Sequence, residues 1–295
     1  MIPPPLRHGG RENQHPMTDS YAANQAALEP ERDAADRLSR VHGVLELQAA
    51  LLALLLPPGS KRAGRAWEIE TASTAGVGSL RAHVASLSGA ARLPWLELLL
   101  ARMAGQPSAA KKELLRATRR IMSARGFARP IDRLHWLALR RWLGEVPPMA
   151  ARAEAGVEVV EWLESDVLAL AAYTAFLSRM IPGEAEDGSD GPKWYAAVMT
   201  SFQPYADAPE CKPPDSEGMV EALGRLQTLS WMQRPIVVRS WVAGALQQSP
   251  GGRLGDLAAD ALRLSCTLLD SPMPPELARH YIALTPDPAK PAAKP

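Results

Sequence analysis

The chain has 295 residues, with 33 basic and 32 acidic side chains and a formal net charge of +1. Hydrophobic residues make up 46% and charged residues 22%, which excludes a disordered, collagenous or disulfide-scaffold protein. Near-zero net charge also argues against a wholly basic nucleic-acid binder, while leaving local patches open.

Residues 1–22 are rich in Pro, Gly and Asn, lack periodicity, and are expected to be disordered. They contain no apolar h-region, so no signal peptide is expected. Met17 would serve as an alternative translation start to Met1. Helical periodicity predicts helices near 33–56, 77–88, 92–104, 110–124, 131–144, 157–180, 191–202, 217–228, 231–247, 254–269 and 275–283. Pro and Gly punctuate them, as at Pro57-Pro58-Gly59, Pro147-Pro148 and Pro250-Gly251-Gly252. No run of alternating β-branched residues occurs, so the expected fold is all-α. The apolar stretch Ala49 to Leu56 falls well short of the ~20 residues that span a bilayer. The tail 285–295 is expected to be an extended, disordered end.

Trp95, Trp136, Trp142, Trp162 and Trp241 lie inside apolar periodic segments and are read as core anchors. Cys211 and Cys266 are too sparse for a disulfide framework or a four-ligand zinc site and suit a reducing compartment. Cys266, in an apolar helix, reads as core filler.

An internal repeat emerges at an offset of 126 positions. Arg125-Gly126, Ile131-Asp132 and Trp142-Leu143 correspond to Gly251-Gly252, Leu257-Ala258 and Leu268-Leu269. The unit is a helix, a Gly-containing turn, a second helix and a proline stop. Such a hairpin hides its apolar face only against neighbours. This predicts a first helical unit at 23–148 and a second at 149–284. Chance likeness between two amphipathic hairpins is the alternative.

Neutrality hides a split. Residues 102–141 carry eleven Lys/Arg against Glu113 and Asp132, a net of +9, and residues 142–222 carry a net of −11. One reading is two solvated helix faces that compensate each other. The other is a basic surface for an anionic partner, with Lys111, Lys112, Arg116, Arg119, Arg120, Arg133, Arg140 and Arg141 as its binding residues. Aromatics do not interleave this run, which favours a protein or membrane partner over nucleic acid.

Catalytic motifs are missing. The six histidines do not form His-Glu-x-x-His, whose spacing places two imidazoles on one helix face. There is no Walker loop, Gly-x-Gly-x-x-Gly or Gly-x-Ser-x-Gly. Glu161, His135 and Cys266 are the residues an unrecognised enzyme site would have to bring together.

Four stretches resemble a known family. They are Gln48-Ala-Ala-Leu-Leu-Ala-Leu-Leu-Leu56, Arg92-Leu-Pro-Trp-Leu-Glu-Leu98, Ser123-Ala-Arg-Gly126 with Asp132, and Gly252-Arg-Leu254 leading to Leu269-Asp-Ser-Pro-Met-Pro-Pro275. Together they resemble the C-terminal, non-catalytic helical region of bacterial M48-class membrane zinc peptidases, itself similar to TerB-like domains. The peptidase half is missing. The family's Asp-Gly turn, with Glu seven positions on, departs here to Arg125 and Gly251, and to Asp132 and Ala258. A paired-carboxylate cation site needs acidic residues at those positions, so no metal or cofactor is expected.

The resemblance implies a non-enzymatic helical accessory module that binds a protein partner, in the cytoplasm or peripheral to the inner membrane. An enzyme with an unrecognised site, or a nucleic-acid-binding regulator using residues 102–141, are the alternatives. Partner identity and oligomeric state stay open.

Overall fold

The computed structural model describes residues 29–57, 59–124, 126, 129–145, 162–181, 190–202, 207 and 209–281. Among them there is no strand, and the fold is all-α. The ends expected to be disordered, 1–22 and 285–295, lie outside the described residues.

Helix α1 covers 29–39, followed by α2 (Val44–Leu54), α3 (Lys61–Glu70), α4 (Val77–Ala85), α5 (Gly89–Ala104), α6 (Ser108–Ala124) and α7 (Pro130–Trp142). Then come α8 (Glu164–Leu177), α9 (Asp190–Thr200), α10 (Ser216–Gln227), α11 (Gln233–Gln248), α12 (Asp256–Leu269) and α13 (Pro275–Tyr281).

The expected helix 33–56 is two helices, broken at His42-Gly43, where extended Gly43 caps α2. The break is stabilised from outside: the Arg102 guanidinium donates to the carbonyls of Leu38, Ser39 and Val41 at 3.3, 3.0 and 2.9 Å. Helix α3 is not among the predicted helices. It buries only Ala63, Gly64 and Trp67, and half of its ten residues are charged, so few apolar positions mark it in the sequence. Its start is set by Ser60, whose hydroxyl accepts from Ala63 N.

A single apolar core runs from Ala34 to Tyr281. Trp67, Trp194 and Trp241 are fully buried, and each indole N–H finds an acceptor: Ala49 O, Trp241 O and Thr174 Oγ1 respectively. Of the expected anchors, Trp95, Trp162 and Trp241 are buried, whereas Trp136 and Trp142 are half-buried on α7. Helix α12 sits at the centre and packs on α5, α7, α10, α11 and α13. Its C-terminal carbonyls are met by three side chains. Arg141 and Gln227 donate to Leu268 O at 3.4 and 2.7 Å, and buried Arg234 donates to Leu269 O at 3.0 Å.

The offset of 126 maps helix onto helix. Shifting α5, α6 and α7 by that number lands on α10, α11 and α12, within about one residue at their starts, and α2 and α3 fall near α8 and α9. Much of the packing follows the same rule, although among the described residues α2–α6 and α5–α12 pack closely where α8–α11 and α7–α10 do not. The pairs α2–α5, α3–α6, α2–α3, α6–α7 and α5–α7 recur as α8–α10, α9–α11, α8–α9, α11–α12 and α10–α12, and α7–α12 maps onto itself. Left-handed backbone recurs too, at Gly126 and Gly252 in the turns and at Gly144 and Asp270 just past the second helices. The counterpart positions of α1, α4 and α13 (155–165, 203–211 and 149–155) lie wholly or partly outside the described residues.

Replacing Arg234 by Met keeps much of the side-chain length but strands buried carbonyls. Arg234→Met is expected to lower unfolding stability by about 2 kcal/mol in urea titrations. Arg239→Met, at an exposed position of the same helix, is expected to stay within about 0.5 kcal/mol of the parent.

Candidate functional site

A cleft with a cavity volume of 650 Å³ opens where α6 and α7 face α8 and α10. Its charged lining is Arg119, Arg129, Arg133, Arg140 and Arg179 against Asp132 and Asp215. Apolar surface comes from Met122, Trp136, Leu137, Phe176 and Val220.

Local structure sets each of these groups. The short turn after α6 passes through left-handed Gly126 and brings Arg129 to the start of α7, where Pro130 opens the helix. Asp132 is 3% exposed and works as a helix cap. It accepts from Arg129 N at 3.0 Å, and from the Arg129 guanidinium at 2.9 Å. Asp215 caps α10, accepting from Glu217 N and Gly218 N at 3.1 and 2.8 Å. Both carboxylates are thus tied to backbone N–H groups. Arg133 crosses the cleft from α7 to α10, where it meets the hydroxyl of Ser216 and donates to its carbonyl at 2.5 Å. Its Nε is buried and has no acceptor among the described residues. Arg119 lies over the Trp136 ring, 5.1 Å from the centroid. Arginine forks over an apolar floor suit carboxylate or phosphate groups.

The eight basic residues singled out from the sequence divide. Arg119, Arg133 and Arg140 line the cleft, and Arg116, Arg119 and Arg120 form a shallow surface next to it. Arg120 is engaged by Glu70 at 2.5 Å and Glu113 at 2.7 Å, and those carboxylates hold its pKa above the ordinary arginine value. Glu113 is held below the usual carboxylate range, first by Arg120. Arg141 turns to the end of α12, with Asp270 at 3.4 Å. Lys111 donates to Ala104 O at 3.3 Å, and neither it nor Lys112 lines the cleft. Sequence reasoning passed over Arg129 and Arg179 as site residues. Arg129 lay within the basic run, but Arg179 is embedded in the acidic segment, where local net charge hides it.

Glu161 lies outside the described residues. Cys266 is buried, and burial pushes its thiol up to about 12, so it is protonated near neutrality. It lines a groove with Glu97, Arg141 and Arg263 that does not include His135. Among the described residues, no group of three His, Cys, Asp or Glu side chains could hold a metal ion. No described helix is long and apolar enough to cross a membrane. No protein-family model, curated protein or solved structure matches the chain.

A second polar cluster lies where α13 packs on α12 and α5. The Tyr281 hydroxyl donates to Asp260 at 3.0 Å, and Arg263 sits 4.4 Å above the Tyr281 ring. Arg263 also pairs with Glu97. His280 meets Asp256 at 3.1 Å. Burial pushes the Asp260 carboxyl up to about 7, with Asp256 and Glu97 adding to the rise. The folded chain therefore holds this proton where the unfolded chain has lost it. Stability falls as pH rises from the usual carboxylate range to about 7, at up to ~1.4 kcal/mol per pH unit. Asp260→Asn is expected to remove this dependence. Its melting temperature relative to the parent should climb between pH 4 and 7 and level off above, whereas parallel profiles would refute the assignment.

Proposed function

We propose that this protein is a non-enzymatic helical binding module whose partner is an acidic segment of another protein. The carrying observation is the cleft in which Arg119, Arg129, Arg133, Arg140 and Arg179 surround an apolar floor. Arg129 is paired with Asp132 at 2.9 Å and Arg140 with Glu145 at 3.1 Å, which leaves Arg119, Arg133 and Arg179 as the cleft cations without a carboxylate partner among the described residues and the lining positive on balance. The apolar floor distinguishes it from a purely electrostatic surface and favours a protein chain over a bare anion. In this reading the two units are duplicated relatives of the TerB-like accessory region of M48-class membrane peptidases. The four motifs and the recurrence of helix order, packing and left-handed caps at one offset support it.

A fluorescein-labelled oligoglutamate peptide tests the electrostatics. Binding is expected at low salt and to weaken as salt rises. Combined charge reversal at Arg119, Arg133 and Arg179 should weaken it by at least about tenfold, while reversal at Arg116 and Arg120 together should have a much smaller effect. Equal affinity for the parent and the cleft triple variant would overturn the reading.

A further inference from the structure

A second basic cavity, of 210 Å³, lies in the first half of the chain, where the end of α2 and the start of α3 face α4 and α5. Its charged lining is Lys61, Arg81 and Arg92, one residue from each of α3, α4 and α5, and no carboxylate lines it. Leu56, Pro57 and Val84 supply apolar wall. None of these residues belongs to the cleft between α7 and α10.

Each cation is placed by a separate local cause. Lys61 opens α3 directly after the capping Ser60, and its ammonium has no partner among the described residues. Arg81 lies along α3. Its Nη1 donates to exposed Glu68 at 2.8 Å, and its guanidinium stands 5.5 Å from the Trp67 ring centroid. Gly64 leaves room for it, since a Cβ there would come within 2.6 Å of Arg81 Nη2. Arg92 is pinned by the backbone: Nη1 donates to Val84 O at 3.2 Å, and Nη2 is shared among Ala53, Leu54 and Leu56 O at 3.3, 3.1 and 3.1 Å. All four acceptors are neutral. Burial lowers the Arg92 pKa, and Asp260 raises it from beyond ion-pair distance.

A partly buried guanidinium served only by neutral dipoles lacks a counter-charge. Glu68 offsets one of the three positive charges from outside the cavity, and two remain. Two charges match a phosphate monoester, which carries about −1.5 to −2 near neutrality, better than a singly charged carboxylate. Unused donors stand on different walls: Lys61 Nζ, Arg81 Nη2 and the hydroxyl hydrogen of Ser60, whose oxygen accepts from Ala63 N. That spread suits a tetrahedral oxyanion. At ~30 Å³ per water the cavity holds about seven waters, room for a phosphate group and a short ester chain.

We infer that this cavity binds a small phosphate monoester, with Lys61, Arg81 and Ser60 on the phosphate oxygens, Arg92 as a fixed counter-charge, and the ester carbons against Leu56 and Val84.

Isothermal titration calorimetry of the full chain at low salt and pH 8 tests this with n-propyl phosphate, a dianion there, and n-propyl sulfate, a monoanion of similar shape. The phosphate is expected to bind one-to-one and at least about tenfold more tightly than the sulfate. Lys61→Glu, at an exposed position, and Arg81→Gln, which gives up one exposed ion pair, should each weaken it at least about tenfold while thermal unfolding stays close to the parent's. Arg62→Glu, exposed but outside the cavity lining, should cost less than about threefold, and charge reversal at Arg119, Arg133 and Arg179 should cost nothing. No saturable binding, equal affinity for the two esters, or a loss in Arg62→Glu or the cleft variant as large as in Lys61→Glu would overturn the site. Phosphatidic acid vesicles provide the lipid-borne form of the same group. Co-sedimentation with them that propyl phosphate does not compete away would overturn the small-ligand assignment.

Discussion

A helix that ends inside a protein leaves carbonyl oxygens that must find donors, and this fold meets that demand largely with arginine. Arg102 serves the end of α1, Arg92 reaches Ala53, Leu54 and Leu56 at the end of α2, and Arg141 and Arg234 serve the end of α12. Burial lowers the Arg92 pKa, the cost of seating a cation there, and the carbonyl dipoles offset that cost. Since α12 touches five other helices, the donors at its end hold together much of the arrangement. This use of arginine also explains why a count of basic residues misleads. Arg102 and Arg141 belong to the basic run but act on helix termini, so the outward-facing charge is smaller and more localised than the net of that run.

The equivalence of the two halves follows from the same packing. A hairpin such as α6–α7 has one apolar stripe and needs a partner to cover it. Here α7 finds α12, its own counterpart, and the core is continuous across the junction. The two halves differ in charge. At Gly89 a Cβ would lie 1.7 Å from a carboxylate oxygen of Asp256, so any side chain there would push the Asp256 carboxylate out of its present place. The position equivalent to Gly89 is Asp215, which caps α10 and lines the basic cleft instead.

Helix content and order were legible because 3.6-residue periodicity and Gly–Pro punctuation are local signals. The break at Gly43 and the existence of α3 were not. The first depends on Arg102, about sixty positions away, and the second on a stripe whose only large apolar residue is Trp67. The basic run pointed to the right region, yet only Arg119, Arg133 and Arg140 of its eight nominated members line the cleft. Arg179 enters from the far half, brought there by the packing of α8 on α10. That convergence is tertiary, and no window along the chain contains it. Asp132 likewise looks in sequence like a remnant of a carboxylate turn, and its observed contacts are those of a helix cap.

The cleft between α7 and α10 is proposed to take an acidic segment of a partner protein through its arginines. Hydrogen–deuterium exchange on the full chain, with and without an oligoglutamate peptide at low salt, tests this most directly. New protection is expected to concentrate at residues 129–142 and 214–224, with α13 unchanged. Protection centred instead on the exposed Trp231 and Met232 at the start of α11, or displacement of α13 from its own groove, would contradict it.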